Sequence, residues 1–246
     1  MSRWLLIDNS NTRTKLALGG PDGLSGWRAR HPTPGIDRDF LAKTLGGVEF
    51  DGALVASVVP ETGKRLREFL ESRGPVHFLG PESDLGLAID YPEPAQIGAD
   101  RLANAIGVVA RHGAPAIVID FGTAVTFDVI SSEPAYLGGA IAPGLGAMSD
   151  YLARRTALLP RISLAEPEHA IGKSTEEAMQ AGAVFGYRGL IRGILRRLFR
   201  EIAGRPAVVA TGGDAALIAS EMPEVGCIDV DITLEGLRIA AMRNLS

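Results

Sequence analysis

Two stretches decide how this chain reads: Leu5-Leu6-Ile7-Asp8-Asn9-Ser10-Asn11-Thr12 and Ile117-Val118-Ile119-Asp120-Phe121-Gly122-Thr123-Ala124. Each is a short apolar run with the composition of a buried strand, ending on a carboxylate and passing into small residues. A second apolar run follows each one, at residues 15–18 and 125–130. The same unit of strand, Asp, turn and strand therefore occurs twice, which predicts two related domains. An Asp in such a place can simply start a turn by bonding its own backbone. It can also sit where a metal and phosphate oxygens meet backbone N–H groups. One hairpin alone favours the turn; two in matching contexts favour the ligand.

Working outward, further strands are predicted at 4–7, 53–58, 76–79, 116–119 and 207–210. Helices are predicted at 40–45, 62–72, 99–111, after Gly146, at 175–202, 215–220 and 234–242. Strands alternating with helices and Gly/Pro punctuation give the α/β class. With 246 residues, 46% hydrophobic and 22% charged, the chain can bury a sound core as one large domain or two small ones. A net charge of -4 supplies no overall positive field, so neither nucleic acid nor an anionic membrane is an expected partner. No apolar stretch approaches the roughly 20 residues of a membrane span. The one cysteine, Cys227, excludes an intrachain disulfide and a thiolate cluster, and the four scattered histidines show no zinc spacing. Nothing at the N-terminus reads as a signal peptide, so the cytoplasm is the expected location.

Several residues can carry chemistry. Lys15 can reach a phosphate as a point charge or stand outward from its strand. Thr123 offers a hydroxyl and an N–H to a phosphate oxygen, with Gly122 allowing close approach. Thr211-Gly212-Gly213-Asp214 lies at a strand-to-helix turn, where a glycine pair admits a nucleotide or makes an ordinary tight connection capped by Asp214. Pro92-Glu93-Pro94-Ala95-Gln96-Ile97-Gly98-Ala99-Asp100-Arg101 leads straight into a helix. There Asp100 is either a routine acid at a helix N-terminus or a general base, with Arg101 forking onto an anionic substrate. Ser174-Thr175-Glu176-Glu177 has the form of a capping box. Arg188, Arg192, Arg196 and Arg200 recur every four residues and read as a solvated face.

Taken in order, residues 8–15, Gly98-Ala99-Asp100-Arg101, Asp120-Phe121-Gly122-Thr123, Lys173-Ser174-Thr175 and Thr211-Gly212-Gly213 resemble the motifs of type III pantothenate kinases across nearly the whole chain. The Gly-Ala-Asp-Arg loop and the second hairpin are the most specific; the first hairpin is shared with the wider superfamily of acetate and sugar kinases, heat-shock ATPases and actin. The resemblance implies an α/β fold of two ribonuclease-H-like, actin-like ATPase domains, 1–112 and 113–246, with nucleotide in the cleft between them. It implies that Asp8, Asn9, Ser10, Asn11, Thr12, Arg13, Thr14 and Lys15 form the ATP phosphate loop, with Thr123 as a further contact. Asp8 would organise Mg²⁺ and Asp120 a monovalent cation, K⁺ or NH₄⁺. Tyr91, Gly98, Ala99, Asp100 and Arg101 would contact pantothenate, Asp100 taking its proton, and Thr175 would reach the substrate across a homodimer interface.

The implied reaction is ATP-dependent phosphorylation of pantothenate to 4′-phosphopantothenate, the first step of coenzyme A biosynthesis. The alternative is a non-catalytic regulator with the same fold, like the Bvg accessory factors. The first motif departs at one place: Ser10 stands where the family has Gly. Its side chain is expected either to narrow the phosphate pocket or to donate a hydrogen bond there.

Overall fold

The computed structural model describes residues 2–245. The chain begins with β1 (Trp4–Asn9), buried along its whole length, then β2 (Arg13–Gly20) and β3 (Gly23–Pro32). There follow α1 (Arg38–Leu45), β4 (Gly52–Ser57), α2 (Pro60–Leu70), β5 (Val76–Phe78), the short β6 (Ala88–Ile89) and α3 (Ala99–His112). The second half runs β7 (Ala116–Phe121), β8 (Ala124–Ile130), β9 (Ala135–Pro143), α4 (Leu145–Arg155), α5 (Thr175–Glu201), β10 (Ala207–Gly212), α6 (Ala215–Ala219), β11 (Cys227–Ile228) and α7 (Ile232–Asn244).

The chain folds into two compact units. The first holds the chain up to Gly113, residues 134–137, and everything from Asp231 onward. Its sheet has the order β3-β2-β1-β4-β5, with β1 antiparallel to β2 and parallel to β4. Leu5, Ile7, Leu16, Ile36, Leu41, Val55 and Leu66 form its core on one side of that sheet. The chain from Asp231 belongs here, and not with the residues that follow 113, because α7 packs on α3. Each helix carries a glycine at the crossing: a Cβ on Gly107 would run into the carbonyl of Ile232, and one on Gly236 into that of Ala103. Thr233 donates to Asn104 Oδ1 at 2.7 Å across the same contact.

The second unit, residues 114–133 and 138–230, repeats the plan. Its strands run in the order β9-β8-β7-β10-β11, with β7 antiparallel to β8 and parallel to β10. The central strand, hairpin partner and parallel neighbour match those of the first unit, as the repeated motif predicts. Ile117, Ile119, Phe121, Val125, Phe127, Tyr187, Ile191 and Ala210 fill its core.

Four strands escape the sequence pattern: the two-residue β6 and β11, and the longer β3 and β9. β3 is an edge strand rich in Gly, Ser and Arg, and β9 carries glycines at 138 and 139, so neither has the buried apolar run that marks a central strand. The arginine stripe on α5 is also not one solvated face. Arg188 is 4% exposed; it donates to both Glu166 carboxylate oxygens at 2.7 and 2.6 Å and to the carbonyls of Leu217 and Ile218. A guanidinium can be buried there because its donors are met by a carboxylate and two carbonyls. Arg196 and Arg200 are exposed as expected.

Candidate active site

In both units the shared plan puts an aspartate near the C-terminal end of the central strand, between an antiparallel and a parallel neighbour. Asp8 faces Lys15 on β2 and Ala56 on β4; Asp120 faces Thr126 on β8 and Thr211 on β10. The carboxyl ends of parallel strands are where open α/β sheets hold ligands.

In the first unit, the Asp8 side chain is nearly buried. Its Oδ2 lies 3.2 Å from Lys15 Nζ, and its Oδ1 accepts from the Ser10 hydroxyl at 2.7 Å. Ser10 therefore bonds to the carboxylate. It is not strained either, since among the described residues none but glycine has positive φ. Asn9 and Thr14 are buried and bond to each other at 2.8 Å, whereas Asn11, Thr12 and Arg13 are exposed on the turn. This part of the motif thus divides into a scaffold and an outward rim.

The Gly-Ala-Asp-Arg loop enters α3 in the same unit, with Gly98 at the N-cap (φ -59, ψ 139). Asp100 Oδ1 accepts from the Arg101 N–H at 2.8 Å, so the carboxylate is tied to the helix N-terminus. A Cβ on Gly98 would stand 2.6 Å from that same oxygen and 3.4 Å from Val58. Glycine is needed here to make room for the acid. The Arg101 guanidinium carbon lies 5.7 Å from the centre of the Tyr136 ring, and Tyr91 meets that ring edge-on at 6.3 Å. Tyr136, at 0% exposure, was not singled out in the sequence. It comes from β9, which joins the first unit by pairing Ile89 with Tyr136, and no local pattern marks it.

In the second unit the turn after β7 and the glycine pair at the end of β10 come together. Gly212 has φ +94, and a Cβ there would lie 2.5 Å from the Phe121 carbonyl and 2.6 Å from Asp120 Oδ1. The carboxylate and the carbonyl thus close on a point only glycine can pass. Thr123 is exposed on the turn, its carbonyl accepting from Gly144 N–H at 3.1 Å where α4 begins. Asp214 occupies the N-cap of α6, but its side chain makes no capping hydrogen bond there; its N–H donates to the Phe121 carbonyl at 3.3 Å. Tyr187, whose hydroxyl donates to the Pro143 carbonyl at 3.1 Å, has its phenol pushed well above the ordinary range by burial and then by the Asp214 charge. It stays neutral at working pH. Thr175 is exposed as the first residue of α5, just after the expected cap: Ser174 Oγ accepts from Glu177 N–H at 3.1 Å, and Glu177 reaches back to Lys173 N–H at 2.7 Å.

Among the described residues no helix is long and apolar enough to cross a membrane. The sequence profile of type III pantothenate kinases matches residues 4–197. A type III pantothenate kinase of Akkermansia muciniphila is 57% identical over 242 residues, covering 98% of this chain and 99% of that one. One from Moorella thermoacetica is 48% identical over 202 residues, 80% of this chain and 78% of its own. Among solved structures, component A of the (R)-2-hydroxyglutaryl-CoA dehydratase of Acidaminococcus fermentans aligns over 98% of this chain and 97% of its own with a TM-score of 0.55 at 13% identity, a likeness of fold alone. On the match over residues 4–197 and the identity of 57% over nearly the full length, the chain belongs to the type III pantothenate kinase family.

Proposed function

We propose that this protein transfers the γ-phosphoryl group of ATP to the primary hydroxyl of pantothenate, giving ADP and 4′-phosphopantothenate at the start of coenzyme A synthesis. The observation that carries the reading is the Asp100 carboxylate, pinned to the first turn of α3 beside Arg101 with a glycine cleared in front of it. As the pantothenate oxygen bonds to phosphorus and the bond to ADP breaks, the hydroxyl proton passes to Asp100. Arg101 is a fork for an anionic group of the substrate, and Tyr91, Gly98 and Ala99 line the same loop.

Asn9 to Lys15 form the phosphate turn, with Asn11, Thr12 and Arg13 on its exposed rim and Lys15 as a point charge; Thr123 is a second phosphate contact. A hard carboxylate suits Mg²⁺, which keeps much of its water, and Asp8, with its oxygens already receiving Ser10 and Lys15, suits the water shell of that ion. When bound, Mg²⁺ draws charge from the phosphate oxygens. Asp120 and the Phe121 carbonyl supply the oxygen donors a monovalent cation, K⁺ or NH₄⁺, requires, and the crowding at Gly212 marks where they converge.

Assembly as a homodimer accompanies this reading, with Thr175 facing the partner's substrate. Gly182, Gly186, Gly189 and Gly193 of α5 have open space where a Cβ would be. Glycine inside a helix costs about 1 kcal/mol against alanine, and close approach by a second helix is what such a row permits. Ile141, Tyr151, Leu158 and Ile171 of the same unit are 62–90% exposed, consistent with a covered surface. A regulator without catalysis would have no use for the acid, the arginine and the cleared glycine together. The test is pantothenate-dependent ADP formation in a coupled assay with and without K⁺; no ADP above the pantothenate-free rate would remove the proposal.

A further inference from the structure

One acceptor sets the direction of a buried chain of hydrogen bonds in the first unit. The Ser10 carbonyl can only accept, so the Thr33 hydroxyl, 2.6 Å away, spends its single proton there. The Thr14 hydroxyl, 3.0 Å from Thr33 Oγ1, must then donate to Thr33. With its proton used, Thr14 accepts from Asn9 Nδ2 at 2.8 Å, which turns Asn9 Oδ1 to accept from the Ser57 hydroxyl at 2.7 Å. Ser57 also lies 3.2 Å from the Val59 carbonyl, but the bond to Asn9 is the shorter. Each member has one arrangement. Asn9, Thr14 and Thr33 are 0–2% exposed, so water does not compete for these groups.

Thr33, in the turn after β3, holds the loop twice, for its N–H also donates to the Thr12 carbonyl at 3.0 Å. A trans peptide points its C=O and the next N–H in opposite directions. With the Ser10 carbonyl turned to Thr33, the N–H of Asn11 faces away from Thr33, on the exposed turn where backbone donors can receive an anion. Ser10 passes the order on through its hydroxyl to Asp8 Oδ1, while Asp8 Oδ2 pairs with Lys15.

We infer that Thr33 and Ser57 are positioning residues for the phosphate turn, acting through Asn9, Thr14 and the Ser10 carbonyl to fix the Asn11 N–H and the Asp8 carboxylate for ATP. The inference rests on the kinase reading and adds residues outside every motif of it. Thr33→Val keeps the shape and deletes the hydroxyl; Thr33→Ser restores it. Calorimetric titration with MgATP in the absence of pantothenate, followed by steady-state kinetics, reads the effect. Thr33→Val is expected to weaken ATP binding and raise the KM for ATP about tenfold, leaving the KM for pantothenate within about twofold, and Thr33→Ser to return ATP binding to within about twofold. A folded Thr33→Val variant with unchanged ATP affinity would overturn the inference. If Thr33→Val does not fold, Ser57→Ala at the far end of the chain is expected to weaken ATP binding about threefold, and unchanged affinity there overturns it equally. The unaltered protein separates the two failures. If it binds no ATP, the kinase reading falls and takes the inference with it; if it and the variants bind ATP alike, only the inference falls.

Discussion

Gly98→Ala isolates the position of one carboxylate. The backbone at Gly98 is at φ -59, ψ 139, a conformation alanine adopts without strain, so the change leaves folding intact. By restricting the unfolded chain it is worth about 0.4–1 kcal/mol of added stability if nothing else moves. What does move is Asp100. The new Cβ would lie 2.6 Å from Asp100 Oδ1, whereas ordinary contact starts at 3.4 Å, so the oxygen must retreat by about 0.8 Å. On its other side the methyl meets Val58 at 3.4 Å, tight enough to resist a shift of the loop that way. The carboxylate therefore rotates, and its 2.8 Å bond to the Arg101 N–H loosens. A displacement of this order at a general base costs roughly 10- to 100-fold in rate. In the coupled ADP assay kcat should fall by that factor with the KM for ATP unchanged, while the thermal midpoint holds or rises slightly. A kcat within about twofold of the unaltered enzyme, in a variant that melts normally, would refute the placement of Asp100 at the reacting hydroxyl.

Three further outcomes are expected. Asp100→Asn keeps the hydrogen-bond geometry but cannot take a proton, so turnover should drop about 10²- to 10⁴-fold with pantothenate binding within about tenfold, as equilibrium dialysis would measure. If Asp120 holds the monovalent cation as proposed, the unaltered protein should be stimulated by K⁺ in rate measurements across KCl concentrations at constant ionic strength and Asp120→Asn should not, because a neutral amide gives the cation one carbonyl in place of a charge. Glu166→Gln should lower the melting temperature at neutral pH and lose that difference in acid. The Arg188 hydrogen bonds hold the folded Glu166 carboxyl below its ordinary 4.5, so its contribution is present above that value and disappears as pH falls through the lower folded one. Equal differences in melting temperature at both ends of the pH range would contradict the pairing.

The central strands were legible because their signal is local. Residues 4–7 and 116–119 are apolar without interruption, as strands covered on both faces must be, and each ends in an aspartate that the parallel neighbour leaves at the sheet's carboxyl edge. The Ser174 cap was legible for the same reason, its partner being three residues away. The edge strand β3, rich in Gly, Ser and Arg, and the glycine-bearing β9 were not, since neither carries the uninterrupted apolar run of a central strand. The burial of Arg188 was not legible either. Its place in an every-fourth-residue stripe is shared with exposed Arg196, and only Glu166 and the α6 carbonyls, 22 to 30 positions away, make its charge tolerable inside.

The same distinction runs through the site. A motif read along the chain names the residues of a loop but not which of them meet ligand, because that depends on what lies behind the loop. In the stretch from Asp8 to Lys15, Asn9 turns inward onto Ser57, 48 residues away, and Thr14 onto Thr33, 19 residues away, and Asn11, Thr12 and Arg13 remain outside. Ser10 shows why a departure from a motif need not be a defect. Read as a sequence, a side chain in place of glycine threatens either a positive φ or the space for phosphate. In the folded unit the backbone is ordinary, and the hydroxyl is bonded to the neighbouring carboxylate at 2.7 Å, with the carbonyl of the same residue held by Thr33. A residue anchored at both ends in this way adds order to the turn, and order before binding is what lowers the entropy lost when an anion is captured.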